Sequence, residues 1–277
     1  MKMRATYNYI MIVMAAVMAI VTPAAAIAAD ATTTAAARWN EGITAYENRE
    51  YDKAVEAFEQ IVAVGEASAE VYYNLANAYF KLGQSDDTTP RAFARGELGK
   101  AILNYHRALK LEPSMADARY NLELAVDHTN DTQSIPQSFI ATLWQGLRSA
   151  TTSNGWCVTS LAMLASTLIL AMFYLLSANI LLRKIGFFVA IVLIFGYVIT
   201  TTLAISSRNT LESDNRAVVV CNDTTPVHAS PDSASKIVRQ PSQGVTLRIS
   251  RSHGDWTEII FADGEMGWIR NTSIEVI

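Results

Sequence analysis

Two runs decide the fold: Tyr72-Tyr73-Asn74-Leu75-Ala76-Asn77-Ala78-Tyr79-Phe80-Lys81-Leu82-Gly83 and, further on, Ala101-Ile102-Leu103-Asn104-Tyr105-His106-Arg107-Ala108-Leu109-Lys110-Leu111-Glu112-Pro113. Small and aromatic residues recur in both at fixed offsets. Small residues let two helices approach and large ones fill the space between them, so the runs predict a packed helical pair that Pro113 terminates. A weaker copy precedes it. Glu41-Gly42 and Leu75-Ala76 are 34 residues apart, each opens a helix, and an aromatic follows in each, Tyr46 and Tyr79. The earlier unit continues through Tyr51-Asp52-Lys53-Ala54 to Phe58, as the later one continues through Leu98-Gly99-Lys100-Ala101 to Tyr105 and Ala108. A self-similar period of this length marks a stacked repeat.

The pattern resembles the tetratricopeptide repeat. In the first unit Arg38 and Ala45 stand where that family favours large apolar residues, and its start falls between Thr34 and Trp39. After Pro113, Ala118-Arg119-Tyr120-Asn121-Leu122-Glu123-Leu124-Ala125 repeats the first-helix pattern without a matching second helix, as a capping helix would. Gly83 and Ala101 are 18 residues apart where a regular unit needs about five, so residues 84–97 are an insertion between paired helices. The repeat domain is expected over 34–130 and a linker over 131–155. Within that linker Phe139, Ile140, Leu143, Trp144 and Leu147 form a short amphipathic pattern that suits a membrane interface, with plain linker as the alternative.

The 277-residue chain is 51% hydrophobic and 17% charged, too apolar for disorder and too poor in charge for an ordinary soluble protein. Lys2 and Arg4 precede an apolar core from Ile10 to Val21 and a small-residue site at Ala26-Ile27-Ala28, which predicts a signal peptide over 1–28. Two charge-free runs, 156–182 and 185–205, are long enough to span a bilayer, with Arg183-Lys184 between them as a cytoplasmic connection. An exported repeat domain would then place the chain after the second span outside as well. The predicted location is the bacterial inner membrane, with both flanking domains in the periplasm. The 22 basic and 26 acidic residues give a net charge of −4 with no basic stretch, which argues against nucleic acid as a partner. Residues 29–155 carry 11 basic and 17 acidic side chains and residues 206–277 carry 7 and 9, so neither flank should hold anionic lipid by charge alone. Cys157 lies in an apolar run and Cys221 in a valine-rich one, which suggests packing rather than pairing.

From residue 215 the periodicity changes. Ala217 to Cys221, Lys236 to Val238, Gly244 to Ile249, Trp256 to Ile260 and Gly267 to Ile269 are five strand-like runs bounded by turn residues, which predicts a small closed barrel over 215–277. Gly254-Asp255-Trp256, Asp263-Gly264 and Gly267-Trp268-Ile269 resemble the bacterial SH3-like domain, whose Asp-Gly pair makes a hairpin turn and whose Gly-Trp-Ile opens the last strand. Trp256 and Trp268 are candidate ligand contacts, with core packing an equal alternative. His228 and His253 fall on loops as exposed polar residues, without metal-ligand spacing.

No G-x-S-x-G, H-E-x-x-H, phosphate loop or credible cysteine–histidine pair occurs, so no enzyme, catalytic residue, cofactor or metal is expected. The expected whole is a multidomain membrane protein: an all-α tetratricopeptide array, two transmembrane helices and a C-terminal all-β SH3-like barrel. That order resembles the BatE-type proteins of the aerotolerance (Bat) operons of the Bacteroidetes. The resemblance implies a scaffold or adaptor acting beside other Bat-type membrane proteins and a MoxR-type ATPase. The alternative is a cell-wall sensor or anchor binding peptidoglycan peptides through the barrel. In tetratricopeptide arrays the first helix of each pair lines a groove, and the resemblance carries that role to Trp39, Tyr46, Tyr73, Asn77, Phe80 and Tyr120; packing between helices is the alternative, for Tyr73 and Tyr120 above all. The family's basic clamp for a carboxylate tail is absent from the groove.

Overall fold

The computed structural model describes residues 34–65, 67–84, 96–129, 139–176, 179–212, 214–221 and 225–277, so the expected signal peptide and nearly all of the 84–97 insertion lie outside the described residues. The chain divides into two compact units, Met1–Ala67 and Ser68–Ile277.

The described residues of the first unit form one helical pair, α1 (34–47) and α2 (Tyr51–Ala63). Gly42 is the contact point: a Cβ there would lie 2.7 Å from the Phe58 ring, so only glycine lets α1 approach α2 this closely. Arg49, with φ 64°, turns the chain between them, and Glu50 N–H donates to the Ala45 carbonyl at 2.9 Å.

In the second unit α3 (Ala69–Gln84) pairs with α4 (Glu97–Leu111), and α5 (Ala116–Asp127) packs on both. The alanines of the repeat pattern are where helices touch: Ala76, Ala101, Ala108, Ala118 and Ala125 are fully buried. The segment expected as linker contains a helix, α6 (Phe139–Arg148).

Next come α7 (Ser153–Leu176) and α8 (Ile180–Glu212), packed as a hairpin. Both are long and apolar enough to cross a membrane over Ser153–Leu175 and Ile180–Asn209, and most of their apolar surface is left exposed. The turn is not where the charges suggested. Arg183 and Lys184 lie inside the first turns of α8, because a basic pair does not interrupt a helix; the start is set by Asn179, whose side-chain oxygen accepts the Leu181 N–H at 2.9 Å. Residues 180–182, expected in the first span, therefore belong to the second helix.

The chain ends in an antiparallel sheet of β1 (Arg216–Val219), β2 (Val227–His228), β3 (Ile237–Arg239), β4 (Thr246–His253), β5 (Trp256–Ile260), β6 (Met266–Arg270) and β7 (Ile274–Val276), ordered β3-β2-β6-β5-β4-β1-β7. The sheet wraps one core of Ala217, Val219, Val227, Leu247, Ile259, Phe261, Ile269 and Ile274. Among the described residues seven strands stand where five were expected. Gly267-Trp268-Ile269 forms the penultimate strand, and a 3-10 turn over Asn271–Ser273 leads into the last. Asp263-Gly264 makes the expected tight turn, with Gly264 at φ 89°.

Candidate partner-binding surfaces

On the repeat helices, the expected groove residues separate into four environments. Trp39 and Tyr46 belong to the first unit. There Trp39 sets its ring edge-on to Phe58 at 5.7 Å, and Tyr46 meets Tyr51 in the same way at 5.4 Å. Tyr73 and Asn77, one turn apart on α3, come together with Tyr105 and Asn121, neither of them an expected groove residue. The Asn77 side-chain oxygen accepts from the Tyr105 hydroxyl at 2.6 Å and from the Asn121 amide at 2.9 Å, and that amide also reaches the Tyr73 hydroxyl at 3.3 Å. Asn77 is thus the hub of a network across α3, α4 and α5, with Tyr105 only 1% exposed. The recurrence of Tyr-Asn-Leu at 73–75 and 120–122 was the available signal for Asn121. Phe80 is buried, edge-on to His128 at 5.6 Å, and is core. Tyr120 is the reverse, 69% exposed on α5 beside exposed Leu124, one turn on.

In the β domain both tryptophans lie on the outer face of the sheet yet are buried, because arginines lie over them. Cross-strand pairing puts Trp256 opposite Arg270 and Trp268 opposite Glu258. The Arg270 guanidinium stands 4.8 Å from the Trp256 ring centre and Arg251 stands 5.4 Å from that of Trp268. Arg251 is fixed by two bonds to Glu258, at 2.9 and 3.0 Å, which hold that carboxyl below the usual carboxylate range. Arg270 donates to the Ser233 hydroxyl at 2.7 Å. A ligand reaching either indole must first displace an arginine. His228 is a correction. It sits in β2, buried, with Nδ1 3.0 Å from the Ser235 carbonyl and its ring edge-on to Trp256 at 5.3 Å. His253 is exposed as expected, but it ends β4, paired with Trp256, rather than lying on a loop.

The β domain is docked on α4. Gly99, Ile102, His106 and Lys110 recur at helical spacing and form one stripe facing it. A side chain on Gly99 would collide with the Val219 carbonyl oxygen, while one on Gly244 would strike Ile102 at 2.6 Å and Thr129 at 2.8 Å. Arg107 donates to the Val276 carbonyl at 2.8 Å and pairs with Glu275 at 3.3 Å, and Lys110 donates to the Ile277 carbonyl at 2.8 Å. His106 Nε2 lies 3.5 Å from the Thr246 hydroxyl. Burial first, and the Arg216 charge second, push its imidazole down to about 3, against the opposing pull of Asp214. Burial raises the Asp214 carboxyl, but Arg216, bonded to it at 2.8 and 2.9 Å, holds it below its ordinary value.

Among the described residues no group of three or more His, Cys, Asp and Glu is placed to hold a metal ion. Residues 40–87 match the tetratricopeptide repeat family, residues 91–126 match the TPR repeat family and residues 222–275 match the bacterial SH3 domain. No curated protein matches the chain. The chain therefore joins a repeat region of a kind that binds protein partners to a bacterial SH3 domain, with two apolar helices between them.

Proposed function

We propose that this protein is a non-enzymatic, membrane-anchored scaffold that captures protein partners on the side of its repeat domain, within a Bat/MoxR-type envelope-stress or aerotolerance complex of the bacterial inner membrane. The observation that carries the reading is the docking of the β domain on α4. It makes one platform of two binding folds and commits the α4 stripe to that contact, leaving Tyr120 and Leu124 of α5 exposed to a partner. Large exposed aromatics of this kind anchor protein ligands. In this reading the hairpin crosses the membrane twice and the repeat and SH3-like domains face the periplasm. A reporter active only outside the cytoplasm works when fused near Asn130 or after Ile277 and fails at Lys184; activity at Lys184 refutes the topology.

The partner claim is tested by capture from detergent-solubilised envelope of von Willebrand factor A-type Bat proteins. Alanine at Tyr73 and Tyr120 together weakens capture by about 2 kcal/mol, with helix content preserved. Unchanged capture by the folded variant removes the groove role. The match to the bacterial SH3 domain favours a second reading, cell-wall binding through the β domain. Under it, purified chain sediments with peptidoglycan, and alanine at Arg251 and Arg270 alters that sedimentation while Tyr73 and Tyr120 variants do not.

A further inference from the structure

Helix α6 carries its apolar residues at 139, 140, 143, 144 and 147, a single face by helical spacing, with Gln145 on the opposite face and no acidic residue. Its described large apolar residues are left partly bare. Leu143, Trp144 and Leu147 are 53%, 39% and 44% exposed. A ten-residue helix is marginal in water on its own, and this one is fixed at a definite place. It lies against α8, and its last carbonyl, that of Arg148, accepts the indole N–H of Trp156 from α7 at 3.3 Å.

The height of α6 on the hairpin follows from two contacts. The Ser153 hydroxyl donates to the Ala204 carbonyl at 3.1 Å, so α7 begins level with Ala204, where Leu203 and Ala204 are buried. From Lys184 to Ala204 is 20 residues of continuous helix, or about 30 Å, which matches the hydrocarbon thickness of a bilayer. With the Arg183-Lys184 pair at one membrane surface, α6 comes level with the other. At that level it lies beside α8, one of two helices long and apolar enough to cross a membrane, and Trp144 sits at the depth where tryptophan partitions.

We infer that α6 is an interfacial helix lying in the membrane leaflet on the side of the repeat domain, with Leu143, Trp144 and Leu147 immersed among lipid and Gln145 turned to water. The occupant of the stripe is lipid, and the helix sets the depth of the hairpin. The inference rests on the membrane-anchored reading, so its test reads the two separately.

The full chain, with Cys157 and Cys221 replaced by serine, receives single cysteines at Leu143, Leu147, Gln145 and, as an insertion control, Ile194 in the middle of α8. Each is labelled with a polarity-sensitive fluorophore and reconstituted in phosphatidylethanolamine–phosphatidylglycerol vesicles carrying nitroxide lipids. The labels at 143 and 147 report an apolar surrounding, quenched about twofold more by shallow than by deep nitroxides, while the label at 145 reports water. The label at 194 is quenched most by deep nitroxides. Water at 143 and 147 with a deep, dry label at 194 overturns the inference and leaves the anchoring intact; water at 194 overturns both. Shielding at 143 and 147 that appears only after a second protein is added also overturns it, by making the stripe a protein contact.

Discussion

Replacing Gly99 by alanine tests the docking of the β domain. A Cβ at this position would overlap the Val219 carbonyl oxygen and would lie 3.1 Å from Val220 Cα and 3.3 Å from the Gly244 nitrogen, all backbone atoms of the β domain. None can rotate away as a flexible side chain would, so the domain itself must move off α4. Overpacking of this kind costs about 1–3 kcal/mol. The shift also stretches the Arg107 and Lys110 bonds to the last strand and beyond it, together about 1–2 kcal/mol for partly exposed bonds. Alanine returns about 1 kcal/mol through its better helix propensity. The net loss is about 2 kcal/mol, falling on the β domain. Hydrogen exchange on the solubilised full chain should therefore accelerate about 30-fold in peptides covering β1 and β4, with α4 still helical. Gly146→Ala in α6, where a Cβ meets nothing within 4 Å, is the control and leaves both strands unchanged. Exchange in β1 and β4 that is unaltered or slowed by Gly99→Ala would refute the reasoning.

His106 gives the docking a pH dependence. Its imidazole is held neutral in the docked state, about 3 against an ordinary value near 6.5, so protonation favours the undocked chain and stability falls as pH drops below about 6.5, by at most about 1.4 kcal/mol per unit. Thermal melts between pH 7 and 5 should show this slope in the wild type and a flatter one in His106→Gln; parallel curves contradict it. Asn77→Ala leaves the buried Tyr105 hydroxyl without its acceptor and should cost about 1–3 kcal/mol in urea denaturation, although the side chain lies on a groove helix. Phe80→Ala should cost about 3–5 kcal/mol as a core deletion, whereas Tyr120→Ala, at an exposed position, should shift stability by no more than about 0.5 kcal/mol; equal effects would contradict the assignment of Phe80 to the core.

The contrast between Phe80 and Tyr120 shows what was legible. Helices over 72–83 and 101–111 follow from spacing of small and large residues, and each of these runs falls inside one observed helix. Spacing says which residues share a helix, but whether an aromatic faces a groove or a neighbouring helix depends on residues far along the chain, such as His128 against Phe80. The hairpin turn is misplaced by a reading of charge as a break, while the start of α8 is set locally by Asn179. Strands β2 and β7, of two and three residues, are too short for alternation to register, and His228 was taken for a loop residue for the same reason. The α4 stripe was least legible. Gly99 stands out only as a glycine within a helix, and the backbone that requires it lies more than a hundred residues away.

The same stripe bears on topology by a route independent of signal sequences and charge bias. Arg107 and Glu275 are 168 positions apart and in contact, with the α7–α8 hairpin between them in the chain. Two domains that touch share a compartment, so the chain between Thr129 and Asp214 crosses a membrane an even number of times. No crossing would leave two helices of 24 and 33 residues in water with much of their apolar surface exposed, Leu168, Phe173, Phe188 and Phe195 each at least 62% accessible. Water does not tolerate so much bare hydrocarbon on a single-chain protein. Within the proposed membrane reading, one crossing conflicts with the docking and two do not. The interface that holds the β domain on α4 therefore bears on the parity of the proposed spans while the hydrophobicity of the helices bears on their number, and loss of the docking in Gly99→Ala removes the first argument without touching the spans themselves.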